Sequence, residues 1–166
     1  MKATVREMRD DEERFCREAE RQLLYPFLTR RQMKLWSEGE WPFMTQWVLA
    51  DEDQIIGRAT FWVHDCLKPR RRGGLPITIL SLDGIFIAPE NQHRGLGAKL
   101  FKKALRLARE ELLKEGLGVG GLWIETAEAR GFYERVIPQI LAGRGLCQQS
   151  TIDIGATTLD LFHLSF

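Results

Sequence analysis

Between Ile77 and Glu115 the chain carries a succession that few folds accommodate: an apolar strand, a short glycine loop and an amphipathic helix. Residues Ile77 to Ala88 are apolar except at Thr78, Ser81, Asp83 and Gly84, the pattern of a central strand buried on both faces, and Pro89 ends it. From Gly97 to Glu115, apolar residues at Ala98, Leu100, Phe101, Ala104, Leu105, Leu107, Ala108, Leu112 and Leu113 recur at helical spacing, and Gly116 closes the helix. A helix N-terminus exposes unpaired amides and the positive end of the helix dipole, so it holds an anion without needing a cationic side chain. Gly95 and Gly97, set between strand and helix, let such a ligand reach the main chain.

The spacing of these glycines excludes two other phosphate loops. GxGxxG fails because Leu100 stands in place of the third glycine, and the Walker pattern GxxxxGK followed by Ser or Thr is absent.

Around this core the pattern alternates between the two regular elements. Thr4 to Met8 reads as a strand, and Asp10 to Gln22 as a helix with Phe15 and Ala19 on its apolar side, followed by Leu23 and Leu24. A second helix is expected from Thr29 to Ser37, then an aromatic connection with Trp36, Trp41, Phe43 and Trp47. Gln46 to Ala50 and Gln54 to His64 form a hairpin across Asp51-Glu52-Asp53, and Lys68 to Gly74 is a basic loop whose plainest reading is a solvated surface segment. Val119 to Thr126 reads as a buried strand and Ala127 to Ile140 as a helix. Thr151 to Ile154 and Thr157 to Ser165 are closing strands around Gly155, and Gly145-Leu146 offers an earlier return to the sheet. With no repeat or linker, residues 1–166 are expected to form one domain.

Composition narrows the partners. The 24 basic and 23 acidic residues nearly cancel, which argues against nucleic acid despite Arg70-Arg71-Arg72 and nearby Trp62. Cys16, Cys66 and Cys147 lie in no CxxC or Cys/His cluster, and His64 and His163 lack partners at ligand spacing, so no metal is assigned. The opening Met1-Lys2-Ala3-Thr4-Val5-Arg6 has no signal-peptide core and no run is long enough to span a bilayer, so no membrane association and a cytoplasmic location are expected.

Gln92-His93-Arg94-Gly95-Leu96-Gly97 resembles the pyrophosphate loop of the GNAT superfamily of N-acetyltransferases: Gln or Arg, two variable residues, Gly, any residue, then Gly or Ala. Ile87-Ala88-Pro89-Glu90 is similar to the family's strand end, and Ala129-Arg130-Gly131-Phe132-Tyr133-Glu134-Arg135 to a later family segment. The resemblance implies an α/β (α+β) domain with a central, mostly antiparallel mixed sheet flanked by helices. It also implies transfer of an acetyl group from acetyl-CoA to a primary amine by direct attack. The acceptor, a small amine, an amino acid or a protein amine, would lie against Leu23 to Trp47 and Cys66 to Pro76.

Carried onto this chain, the resemblance gives Ile85, Phe86 and Ile87 main-chain contacts to the pantetheine arm, and gives the loop from Gln92, His93, Arg94, Gly95, Leu96 and Gly97 to Ala98 the pyrophosphate. Tyr133 stands where a tyrosine commonly lies near the CoA sulfur, as a proton donor; packing the helix onto the sheet is its other reading. Asp83 and Glu125 are the two candidates for the base. Asp83 is slightly favoured, because a carboxylate inside an apolar strand must be paired, solvated by a cleft or functional.

Two positions depart from the family pattern: Thr126 stands where Asn is frequent, seven residues before the tyrosine, and Ile137-Pro138 where Gly-Phe is frequent, four residues after it. Thr126 keeps a hydroxyl for the cofactor contact. The departures leave a non-catalytic CoA-binding sensor or interaction module as the alternative, and a homodimer is compatible with either reading.

Overall fold

A computed structural model describes residues 3–12, 44–52, 54–63 and 74–166. The helices expected beyond Glu12, the connection with Trp36, Trp41 and Phe43, most of the basic loop, Cys16, Cys66 and His64 lie outside the described residues.

Seven strands form one sheet: β1 (Thr4–Glu7), β2 (Met44–Asp51), β3 (Gln54–Val63), β4 (Ile77–Ile87), β5 (Gly118–Thr126), β6 (Leu146–Ile154) and β7 (Thr157–Ser165). Their order is β1-β2-β3-β4-β5-β7-β6, and only β4 and β5 run parallel. A parallel pair needs a crossover, and the helix α1 (Leu96–Lys114) supplies it. A second helix, α2 (Arg130–Leu141), follows β5. The mixed, mostly antiparallel architecture is the one expected.

One face of the sheet is closed by the helices because the strand and helix periods both deliver apolar side chains there. Ala59, Phe61 and Val63 alternate along β3, Leu80 and Leu82 along β4, Leu122 and Ile124 along β5, and Phe162 and Leu164 along β7. From α1 come Leu100, Phe101, Ala104, Leu105, Ala108 and Leu112, spaced along one helical stripe, and from α2 come Tyr133, Val136 and Ile137. Each large side chain so buried contributes about 1.5–3 kcal/mol. Gly57 permits the close approach of β3, β4 and α1: a Cβ there would lie 2.6 Å from Ile87 Cδ1 and 2.8 Å from the Phe86 carbonyl oxygen, which cannot move aside.

Three boundaries differ from the expected ones. β4 is closed on the helix side only, with Ile77 at 42% exposure and Asp83 exposed, so it is not buried on both faces. α2 begins at Arg130 because the Thr126 hydroxyl accepts the Ala129 N–H at 2.9 Å and holds residues 126–129 in a turn. β6 starts at Leu146, since its ladder with β7 continues to the Leu146–Ser165 pair through Gln148 and Gln149, which carry no apolar signal. Among the described residues no helix is long and apolar enough to cross a membrane.

Candidate active site

The parallel ladder between β4 and β5 stops at the Leu82–Ile124 pair. Beyond it β4 continues to Ile87 beside β3 alone, and β5 continues to Thr126 beside β7, so a gap opens inside the sheet. On the β3 side, Thr60 pairs with Gly84 and Phe61 with Leu82, leaving Asp83 as the extra residue of a β-bulge. A bulge bends its strand and re-aims the side chain. Asp83 and Glu125 are thus the first residues past the last pair, one on each side of the gap.

Backbone groups alternate along a strand. The Ala88 N–H bonds the Ile56 carbonyl at 2.9 Å, toward β3, so the polar groups of Phe86 also face β3 and those of Ile85 and Ile87 face the gap. Of the three strand residues singled out in the sequence, Ile85 and Ile87 thus turn main-chain groups to the gap and Phe86 turns them to β3. The Ile87 carbonyl in turn accepts the side-chain amide of Gln92 at 2.9 Å.

After a 3₁₀ turn at Pro89–Asn91, His93 (φ 58°) and Gly95 (φ 74°) both adopt the left-handed conformation on either side of Arg94. Alternating handedness turns successive amides toward one concavity. Gly95 is the N-cap of α1; among the described residues a Cβ there would meet nothing within 4 Å and no side chain caps the helix. The first amide bonded within this turn is Lys99 N–H to Gly95 carbonyl at 3.2 Å, which leaves the Leu96, Gly97 and Ala98 amides pointing outward. No acidic residue lies in that turn to repel an anion. The Gln92 and Arg94 side chains shape this loop, since Arg94 Nη1 donates to Asn91 Oδ1 at 3.3 Å and Asn91 is itself buried.

The helix face leading away from the loop is basic. Lys99, Lys102, Lys103 and Arg106 line a shallow groove of about 390 Å³ that begins at Gly95 and Ala98. Sequence reasoning passed over this stripe as ordinary helix surface, although its spacing of three, four and seven residues marks a single face.

Tyr133 is buried, with Phe101, Phe132 and Phe162 ring centroids 6.0, 5.0 and 5.9 Å away. Among the described residues its hydroxyl has no hydrogen-bond partner, and burial drives the phenol well above its ordinary pKa. Phe132 reaches α1: a Cβ on Gly97 would lie 3.4 Å from its ring. The packing and functional readings of Tyr133 are thus compatible, since the ring fills the core while the phenol stays protonated.

Asp83 has a carboxyl pushed upward, mainly because surrounding protein displaces water from it; the Trp62 indole N–H donates to it and Arg58 lies near enough to oppose the shift. Its residue surface remains open to solvent. Glu125 is exposed, and alternates with the buried Ile124. The Thr126 hydroxyl is engaged with Ala129, as described, and shapes the turn into α2.

An anion cradle beside a gap in a mixed sheet defines a fold that can hold an extended, phosphorylated ligand. Residues 43–136 match the family model described as "Acetyltransferase (GNAT) domain", and the chain belongs to that family of acetyltransferases. Solved structures agree in fold. Arabidopsis thaliana NAA60 in complex with acetyl-CoA aligns with a TM-score of 0.68 at 11% identity, covering 99% of both chains. A GNAT-family acetyltransferase from Streptococcus pneumoniae gives 0.58 at 14%, covering 99% of this chain and 100% of the other. A chimera of spermidine N-acetyltransferase SpeG from Vibrio cholerae and hSSAT gives 0.60 at 13%, covering 99% and 96%. Among curated protein sequences none matches the chain.

Proposed function

We propose that the protein is an N-acetyltransferase that takes the acetyl group of acetyl-CoA and passes it to a primary amine. The observation that carries this reading is the position of the Leu96, Gly97 and Ala98 amides, which have no partner among the described residues, directly beyond the strand end that borders the gap. The pyrophosphate sits on those amides and on the loop from Gln92 to Gly95, and the pantetheine arm extends along the gap against Ile85 and Ile87.

An amine is protonated at neutral pH and must lose a proton before it attacks. Asp83 is the better placed base: its carboxyl is raised from the ordinary value, which brings it nearer the amine, and it lies at the bulge where the gap opens. Glu125, across the gap, is the second candidate, and water can relay the proton to either. The amine nitrogen then forms the C–N bond, the carbonyl becomes an oxyanion, and its collapse breaks the C–S bond while the excess proton on nitrogen leaves to water.

The leaving group is a thiolate, whose pKa is near 8.5 in unperturbed thiols. Full proton transfer from a phenol raised as Tyr133 is would run uphill, so Tyr133 acts by donating a hydrogen bond to the departing sulfur. This modifies the role expected for it without removing it.

The test is to incubate the protein with acetyl-CoA and a panel of small amines, amino acids and peptides, and to follow release of free thiol. Turnover with any acceptor supports the reading. Tight CoA binding without turnover across the panel supports the non-catalytic sensor, and absence of CoA binding overturns both.

A further inference from the structure

The two rims of the sheet differ. β1 is four residues long and carries Arg6, which is ion-paired with Glu12 at 2.5 Å, so one rim is short and charged. β6 is nine residues long, every one of them exposed, and β7 is its one sheet neighbour among the described residues. Its sequence, Leu146-Cys147-Gln148-Gln149-Ser150-Thr151-Ile152-Asp153-Ile154, holds no Lys, Arg or Pro, the residues that normally blunt an edge. Leu146, Ile152 and Ile154 are 72%, 46% and 57% exposed. The single charge, Asp153, accepts the Thr158 hydroxyl at 2.6 Å.

We propose that β6 pairs edge to edge, antiparallel, with β6 of a second copy of this chain about a two-fold axis through Ser150. The strand is its own complement in that register. Leu146 meets the partner's Ile154 at both ends, Ile152 meets the partner's Gln148, and the polar centre meets itself. The two Asp153 carboxylates are then offset by six residues, roughly 20 Å, beyond the reach of charges screened at physiological salt. A register centred on Asp153 would set them face to face. A nine-residue antiparallel ladder supplies about eight to ten main-chain hydrogen bonds, the complement of an ordinary stable interface. A foreign strand would need to match this apolar-polar-apolar order; a second copy has it already.

Light scattering on the full chain across a concentration series tests this, with a mass near twice 19.2 kDa expected. Thr151→Pro removes an N–H that faces away from β7, toward the partner strand, and should return the mass to that of one chain. Should that variant fail to fold, Leu146→Lys with Ile154→Lys sets lysine opposite lysine at both ends of the ladder and should do the same. Ser150→Cys on a Cys147→Ser background should give a disulfide-linked dimer on mild oxidation, because opposed residues in such a pair lie within disulfide reach. The Cys147→Ser parent should not. A single-chain mass at every concentration up to the solubility limit overturns the proposal, whatever other partner is found. So does a dimer that persists in the folded edge variants and forms no Ser150→Cys cross-link.

Discussion

The side-chain amide of Gln92 donates to the carbonyl oxygen of Ile87, 2.9 Å away, and so fastens the first residue of the glycine loop to the last residue of β4. The phosphate cradle and the strand beside the gap are thereby held in one fixed relation. Gln92→Ala releases the loop while leaving both glycines. One hydrogen bond contributes about 0.5–1.5 kcal/mol, so CoA affinity should weaken about 2- to 10-fold by calorimetry. Unchanged affinity would mean that the loop holds its shape without this contact.

Gly95 separates strain from bulk. Among the described residues a Cβ there meets nothing within 4 Å, but φ is 74°, so Gly95→Ala should destabilise the fold by about 1–2 kcal/mol in chemical unfolding. Gly95→Trp fills the cradle and should abolish CoA binding. Retained binding in Gly95→Trp removes the proposed pyrophosphate position.

Tyr133→Phe keeps the ring that packs on Phe101, Phe132 and Phe162 and removes only the hydroxyl. Turnover should fall about 100-fold with CoA affinity little changed. Equal turnover in variant and parent would leave Tyr133 a packing residue. Because its folded pKa is raised, the protonated phenol favours the fold at all pH values below about 10, the ordinary tyrosine value. Stability should fall as pH rises above that point, because the unfolded chain then releases a proton that the folded one retains.

Asp83→Asn distinguishes a catalytic carboxylate from a structural ion pair through opposite signs. A carboxyl raised in the fold favours folding fully below its unfolded pKa near 3.9, and that contribution is lost as pH rises through the folded value. At pH 7 the ionised Asp83 therefore disfavours the fold, and Asp83→Asn should raise the melting temperature while lowering turnover and removing the acidic limb of the rate profile. A lower melting temperature with turnover intact would assign Asp83 to structure and move the base to Glu125.

Glu12 behaves the other way. It accepts from Arg6 at 2.8 and 2.5 Å, from Arg9 Nη2 at 2.8 Å and from the Arg9 amide at 2.9 Å, which together hold its carboxyl far below the ordinary range. Its contribution is fully present above the unfolded value near 4.3, declines as pH falls below that, and is lost only as pH falls through the much lower folded value. Glu12→Gln should cost about 1.5–3 kcal/mol at pH 7, and the difference from the parent should shrink progressively as pH falls below about 4, measured by denaturant unfolding.

The sequence was most legible where one period dominates. Leu100 to Leu112 announce α1, and the strand before it announces the loop, because burial on one face imposes regular spacing. Hidden from it were features that depend on pairing between distant segments. Nothing local to Asp83 says that Thr60 pairs with Gly84 and Phe61 with Leu82, so the bulge is invisible until β3 and β4 are laid side by side. β6 was legible only in its second half, since Gln148 and Gln149 join the sheet through the backbone alone. Thr126 illustrates a different limit: the sequence shows a hydroxyl there but not that the Ala129 N–H, three residues on, donates to it.

The early end of the β4–β5 ladder makes the native state thermodynamically unfinished. Ile85 and Ile87 turn main-chain groups to an inner margin, as the rim strands do along the outer ones, and the proposed pantetheine arm would supply hydrogen bonds there that β5 withdraws. On the proposed reading, binding is continuous with folding: a ligand at 100 times its Kd adds about 2.7 kcal/mol to the unfolding free energy. The Ile85 and Ile87 amides should accordingly exchange their hydrogens slowly only when the cosubstrate is present, turning a catalytic groove into a gauge of how fully the enzyme is loaded.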